Sequence, residues 1–160
     1  MRNLFPIGVY LMTLVALIDQ ATKWWVVEML EIGSLGRYVT SFLNLVLSWN
    51  KGVTFGLLNH QNTWIPYVLI ACALLVVVFL LFWLARAKTL TEALGLGFVM
   101  GGAIGNVADR IRYGAVVDFL DFHLGGYHWY AFNVADSAIV LGVALLFFDN
   151  LVMVQKNKIK

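Results

Sequence analysis

The sequence predicts an all-α integral membrane protein, a single membrane-embedded domain over residues 1–160 with four transmembrane helices and a small extracytoplasmic β platform. Three observations predict it. Of the 160 residues, 61% are hydrophobic and only 12% charged, far from the balance of a soluble domain. Four apolar runs approach or exceed the roughly 20 residues that a helix needs to cross a hydrocarbon layer about 30 Å thick. The basic residues, finally, are divided unequally between the connections on the two sides.

The first run, residues 5–27, follows one basic residue, Arg2. It is too long for a signal-peptide core and no A-x-A-like cleavage site follows, so it reads as a retained span. The connection 31–63 contains "RYVTSFLNLVLSWN", which mixes β-branched, aromatic and polar residues, and then the Gly-bearing "KGVTFGLL". That composition predicts short strands with a turn, held at the interface because open strand edges do not face lipid. The second span covers 65–84 and contains the single cysteine, Cys72, read as a small packing residue without a disulfide partner. In the third span, 94–111, Gly101, Gly102 and Gly105 form a small-residue face suited to close helix approach. After the connection 112–132, the fourth span covers 133–154.

Four spans put both termini on one side of the membrane. Arg2, Arg86, Lys88, Lys156, Lys158 and Lys160 then share a side with Glu92 and Asp149, a net charge of +4. Lys23, Arg37, Lys51, Arg110 and Arg112 face Asp19, Glu28, Glu31, Asp109, Asp118, Asp121 and Asp136 in the other half, a net charge of −2. The positive-inside bias therefore predicts cytoplasmic termini. Trp24, Trp25, Trp64 and Trp129 fall near the outer interface and Trp83 near the inner one, as an aromatic belt requires.

Charged residues inside spans need partners, because an unpaired one costs roughly 2.5–3.5 kcal/mol even on the lenient insertion scale. Asp19 and Lys23 lie one helical turn apart and can neutralise each other. Asp109 and Arg110 read either as a charged helix end meeting water or as part of a polar site. Asp118 and Asp121 in "VVDFLDF" are either interfacial carboxylates or reactive ones. Asn133 occupies a helix N-cap position, and Asp136 either caps the same terminus or faces the bundle interior. Several acids thus gather in one half of a small bundle with no excess of cations. Two acids held close in a low dielectric share one proton, so that one serves as base and the other as acid, which is the apparatus of aspartyl hydrolysis.

Other chemistries lack their residues. The charge of +2 is too small and too scattered for nucleic acid. No H-E-x-x-H occurs, and His60, His123 and His128 lack metal-ligand spacing. Ser34 and Ser137 have no base on a neighbouring turn. A proton-coupled carrier should show repeated halves and polar groups through both leaflets, whereas no repeat is evident and the inner halves of the spans are almost wholly apolar. A scaffold in which the acids only pair with Lys23, Arg110 and Arg112 is the remaining alternative.

Taken in order, "DQATK" (19–23), "NKGVTFGLL" (50–58), "GGAIGNVADR" (101–110), "VVDF" (116–119) and "FNVADSAI" (132–139) resemble the bacterial lipoprotein signal peptidases, or signal peptidase II, over nearly the whole chain. The resemblance implies a membrane aspartyl endopeptidase that uses an Asp dyad and an activated water. Its activity would be removal of the signal peptide from prolipoproteins immediately before the diacylglyceryl-modified cysteine, without cofactor or metal. Carried over by motif, Asp118 and Asp136 are catalytic. Asn50, Asn106, Arg110 and Asn133 orient the dyad or hold substrate backbone, and Asp19, Lys23 and Asp109 are structural polar residues. The implied place is the bacterial cytoplasmic (inner) membrane, with the active site near the outer leaflet. The implied partners are diacylglyceryl-modified prolipoproteins and membrane lipids, and the chain is expected to be a monomer. The Gly125–Gly126 pair adds the expectation that the platform and the loop 120–130 move to admit substrate. "WYAFN" lacks the Pro that many members carry before "FN", Val53 and Thr54 stand where small alanines are frequent, and Ala108 stands where a larger aliphatic is common. These departures bear on local packing, not on the dyad.

Overall fold

The computed structural model describes residues 3–30, 36–52 and 64–158. Ser34, His60, Val53, Thr54 and most of the expected platform's flanks lie outside the described residues. Among the described residues, four helices are long and apolar enough to cross a membrane: α1 (Phe5–Met29), α2 (Ile65–Leu84), α3 (Leu90–Tyr113) and α4 (Val134–Lys158).

Their ends follow local chemistry. Pro6 and Pro66 occupy the first turns of α1 and α2, where a missing N–H breaks no helical bond. Thr89 caps α3 by accepting from the Glu92 amide at 3.0 Å, and its hydroxyl donates to Asp149 of α4 at 2.7 Å. The helix therefore starts at Leu90 instead of 94, because Glu92 belongs to a capped first turn. At the other end Gly114, with φ +70°, closes a left-handed cap whose amide donates to the Arg110 carbonyl at 3.0 Å.

Helix α3 is the centre of the bundle and packs against each of the other three. Glycines permit that from two faces. A Cβ on Gly97 would lie 2.8 Å from the Gly8 carbonyl of α1, and one on Gly142 of α4 would lie 2.6 Å from the Gly95 carbonyl. The close approach thus uses Gly8, Gly95, Gly97 and Gly142 as well as the expected Gly101, Gly102 and Gly105. Val77, Leu80, Leu84, Ala93, Leu96 and Met100 form the main core, toward the end where the chain termini lie. Helix α2 buries only Ile65, Val77, Leu80 and Leu84 and otherwise presents apolar side chains outward, as a lipid-facing span does. Cys72 is exposed on that surface, not packed inside.

At the opposite end lies an antiparallel sheet of β1 (Arg37–Thr40), β2 (Leu43–Asn50), β3 (Val116–Leu124) and β4 (Tyr127–His128), in that order. Half of it comes from the 112–132 connection, so the platform is not confined to 31–63. Leu43 pairs with Phe122, which joins the expected platform and the expected loop in one sheet. Gly125 and Gly126, with φ +57° and +85°, make the two-residue turn between Leu124 and Tyr127. Phe119 packs with Val26 and Leu30, seating the sheet on the end of α1.

Candidate active site

Where β3 leaves Gly114, its first four residues, Val116, Val117, Asp118 and Phe119, are all buried. Asp118 is 3% exposed. It pairs across the ladder with Ser48, and a bulge between Leu45 and Ser48 offsets β2. Asn50, opposite Val116, reaches Asp118 diagonally and donates to its Oδ2 at 2.9 Å.

Asp136 comes from the first turn of α4. Asn133 caps that turn: its Oδ1 accepts from the Asp136 amide at 2.9 Å, while Asp136 Oδ2 accepts from the Asn133 amide at 3.3 Å. The other carboxylate oxygen, Oδ1, accepts from Asn106 Nδ2 at 2.9 Å. Asp136 therefore both caps the helix and faces the bundle interior; the two alternatives describe one geometry. It is half-buried.

Asn133, fully buried, joins the two acids by donating from Nδ2 to Asp118 Oδ1 at 2.7 Å. Burial pushes the Asp118 carboxyl up to about 6; the Asn50 amide opposes that rise and the neighbouring charge of Asp136 adds to it.

Three other acids of this end, Asp19, Asp109 and Asp121, have basic partners. Lys23 Nζ lies 2.8 Å from Asp19 and 2.9 Å from Asp109, with all three side chains buried. Asp109 is 1% exposed, so it is not a charged helix end meeting water. Asp121 lies 2.9 Å from His128 Nδ1 and accepts from Asn44 at 3.0 Å. Asp118 and Asp136 are left, among the described residues, as the buried or half-buried carboxylates of this end held by neutral amides alone. Arg110 donates to the Asn106 carbonyl at 3.3 Å, and no carboxylate among the described residues lies within 4.0 Å of its guanidinium.

Residues 11–152 match the profile of signal peptidase (SPase) II. The chain belongs to the signal peptidase II family. To a lipoprotein signal peptidase of Rhodopseudomonas palustris strain TIE-1 it is 42% identical over 151 residues, covering 91% of this chain and 92% of the relative. One from Nitrobacter hamburgensis is 46% identical over 137 residues, covering 82% and 84%. The fold resembles that of a bacterial membrane enzyme solved by the in meso method at 2.3 Å, with a TM-score of 0.82 and 26% identity over 97% of this chain and 93% of that one.

In this member of the signal peptidase II family, Asn50, Asn106, Asp118, Asn133 and Asp136 form one continuous hydrogen-bonded set, with Arg110 beside it. Asp19, Lys23 and Asp109 form a second set, joined to the first where Lys23 Nζ donates to Asn106 Oδ1 at 3.0 Å. Sequence reasoning missed Gln20, whose Nε2 donates to Asp109 at 2.8 Å and lies 3.3 Å from Asp19. Its only signal was a polar side chain inside an apolar run. The pairing of Asp121 with Asn44 and His128 was missed as well, since strand register is not visible in composition.

Proposed function

We propose that this chain is a membrane aspartyl endopeptidase that cleaves the signal peptide from prolipoproteins immediately before a diacylglyceryl-modified cysteine. It acts as a monomer in the cytoplasmic (inner) membrane, with both termini cytoplasmic and the sheet end outside. Family membership supports the peptidase activity and the substrate class, and the charge asymmetry supports the orientation. One observation carries the mechanism: among the described residues, Asp118 and Asp136 are the buried or half-buried acids of this end with no cation within 4.0 Å, and one asparagine binds both.

In the proposed reaction Asp118, whose carboxyl burial pushes up to about 6, carries the shared proton. Asp136 is the base; its negative charge meets the favourable end of the α4 dipole. A water between them gives one proton to Asp136 while its oxygen bonds to the scissile carbonyl carbon, and Asp118 donates its proton to the carbonyl oxygen. In collapse the tetrahedral carbon–nitrogen bond breaks, the proton on Asp136 passes to the leaving amine, and the hydroxyl proton returns to Asp118. Arg110 and Asn50, at the rim, hold substrate backbone carbonyls. Signal peptide and acyl chains both arrive through the bilayer, so a dyad at a helix end beneath a sheet meets the bond where water and lipid meet.

The test is to replace Asp118→Asn and Asp136→Asn separately and to assay cleavage of a lipidated prolipoprotein, with the new N-terminus read by mass spectrometry. Each folded variant should lose cleavage almost completely. Retained cleavage in either removes that residue from the dyad.

A further inference from the structure

We propose that Lys23 is a positioning residue for the reaction, one ammonium that sets the placement of both Asp118 and Asp136 through three separate relays. This rests on the dyad reading above and goes beyond a structural ion pair.

An ammonium has three N–H donors and no acceptor. Those of Lys23 meet Asp19 Oδ2 at 2.8 Å, Asp109 Oδ2 at 2.9 Å and Asn106 Oδ1 at 3.0 Å. Each acceptor is in turn attached beside one reactive acid. Asp109 Oδ2 accepts from the backbone amide of Val117, the residue before Asp118, at 3.0 Å. Asp19 Oδ1 accepts from the amide of Ala135, the residue before Asp136, at 2.8 Å. Asn106 gives its Nδ2 to Asp136 itself.

The third relay has a chemical sense that packing alone does not supply. Because Lys23 can only donate, it requires the carbonyl oxygen of Asn106 on its own side, and the NH2 group must then point at Asp136. Asn133 Nδ2 approaches the same Asn106 oxygen at the longer distance of 3.4 Å, so the ammonium at 3.0 Å is the closer and the charged one of the two donors that select this orientation, and the reversed amide would set an NH2 against the ammonium and an oxygen against a carboxylate. The first two relays tie β3 and α4, which are distant in sequence, to the same point on α1. Gly105 gives the Asp19 carboxylate its room, since a Cβ there would lie 3.0 Å from Asp19 Cγ.

A merely structural lysine changes how much protein folds, whereas a positioning lysine changes how each folded molecule reacts. The experiment compares kcat, KM and the pH profile per folded molecule for the parent, K23M and the triple variant D19N/K23M/D109N. The triple variant leaves no uncompensated charge and keeps acceptors for the Val117 and Ala135 amides, so it keeps the test open if K23M does not fold. The expected result is a kcat lower by about 100-fold, the scale of a small misplacement of reacting groups, with KM little changed. Asp118 faces Lys23 from α1, Arg110 from α3 and Asp136 from α4, and Lys23 holds its pKa down. Loss of the lysine should therefore move the alkaline limb to higher pH. A folded variant of either kind with kcat within about threefold of the parent and an unmoved pH profile would overturn the inference. D118N and D136N assayed alongside separate the two ideas: activity in those variants defeats the dyad, whereas their inactivity beside an active K23M defeats only the role of Lys23.

Discussion

Asn133 Nδ2 lies 2.7 Å from Asp118 Oδ1, while the same side chain's Oδ1 caps the helix that carries Asp136. One residue thus serves the site with its amide and the fold with its carbonyl. The two duties separate by substitution. Asn133→Ala should lose both, costing about 0.5–2 kcal/mol for the cap together with most of the activity. Asn133→Asp keeps a capping oxygen but places a carboxylate where Asp118 needs a donor. It should remain closer to the parent in thermal stability and still fail to cleave. Melting in detergent and a cleavage assay on both variants decide this, and an active Asn133→Asp protein would remove the donor role.

Asp118 gives stability a pH dependence of definite sign. Its folded pKa, about 6, is above the ordinary 3.8, so the fold favours the protonated acid. That contribution is complete below the ordinary value and is lost as pH rises through about 6. Asp118→Asn, which stays neutral, should gain stability relative to the parent above that pH, on the order of 1–3 kcal/mol. The two should converge in acid. Parallel melting curves from pH 4 to 8 measure it, and a pH-independent difference would contradict the burial argument.

Asp121 has the opposite sign. Burial pushes its carboxyl up, but hydrogen bonds from His128 and Asn44 outweigh that and hold it below the usual carboxylate range. Its contribution is present above the ordinary pKa and is lost as pH falls through the lowered one. Because the His128 side chain is 55% exposed, Asp121→Asn should cost only about 0.2–1 kcal/mol. The effect should be local: faster hydrogen exchange at the Trp129 amide, which donates to the Phe122 carbonyl. Unchanged exchange there would show that the pair does not hold the hairpin.

Gly142→Ala probes the helix crossing. The added methyl carbon would lie 2.6 Å from the Gly95 carbonyl and 2.9 Å from the Val99 amide nitrogen, both backbone atoms that side-chain rotation cannot relieve. Overpacking of this kind should destabilise by about 1–3 kcal/mol, read as a lower melting temperature or easier unfolding in SDS. A neutral outcome would mean that α3 and α4 separate freely.

Much of the site was legible because membrane burial makes polarity conspicuous. Asp19, Lys23, Asn106, Asp109, Asn133 and Asp136 stand inside or at the ends of apolar runs, where each demands a partner. The Asp19–Lys23 pair was readable from helical spacing alone. Strand β3 was not, because Val116 to Phe119 are buried on both faces and show no alternation, and the partner strand lies far away in sequence. The start of α3 was missed for a related reason: an apolar run marks what lies in lipid, whereas a capped first turn is polar.

The sequence by itself determined four spanning helices and which residue types collect at one end, because hydrophobicity and helical period act locally along the chain. Only the tertiary structure decided how those acids divide, with Asp19 and Asp109 around Lys23, Asp121 against His128, and Asp118 and Asp136 left to share Asn133. That division depends on register and crossing: which strand pairs with β3, and how closely the glycines of α3 admit its neighbours. Distances of a few ångströms between side chains remote in sequence are set by packing, and they decide which carboxylates meet a cation and which are held by neutral amides.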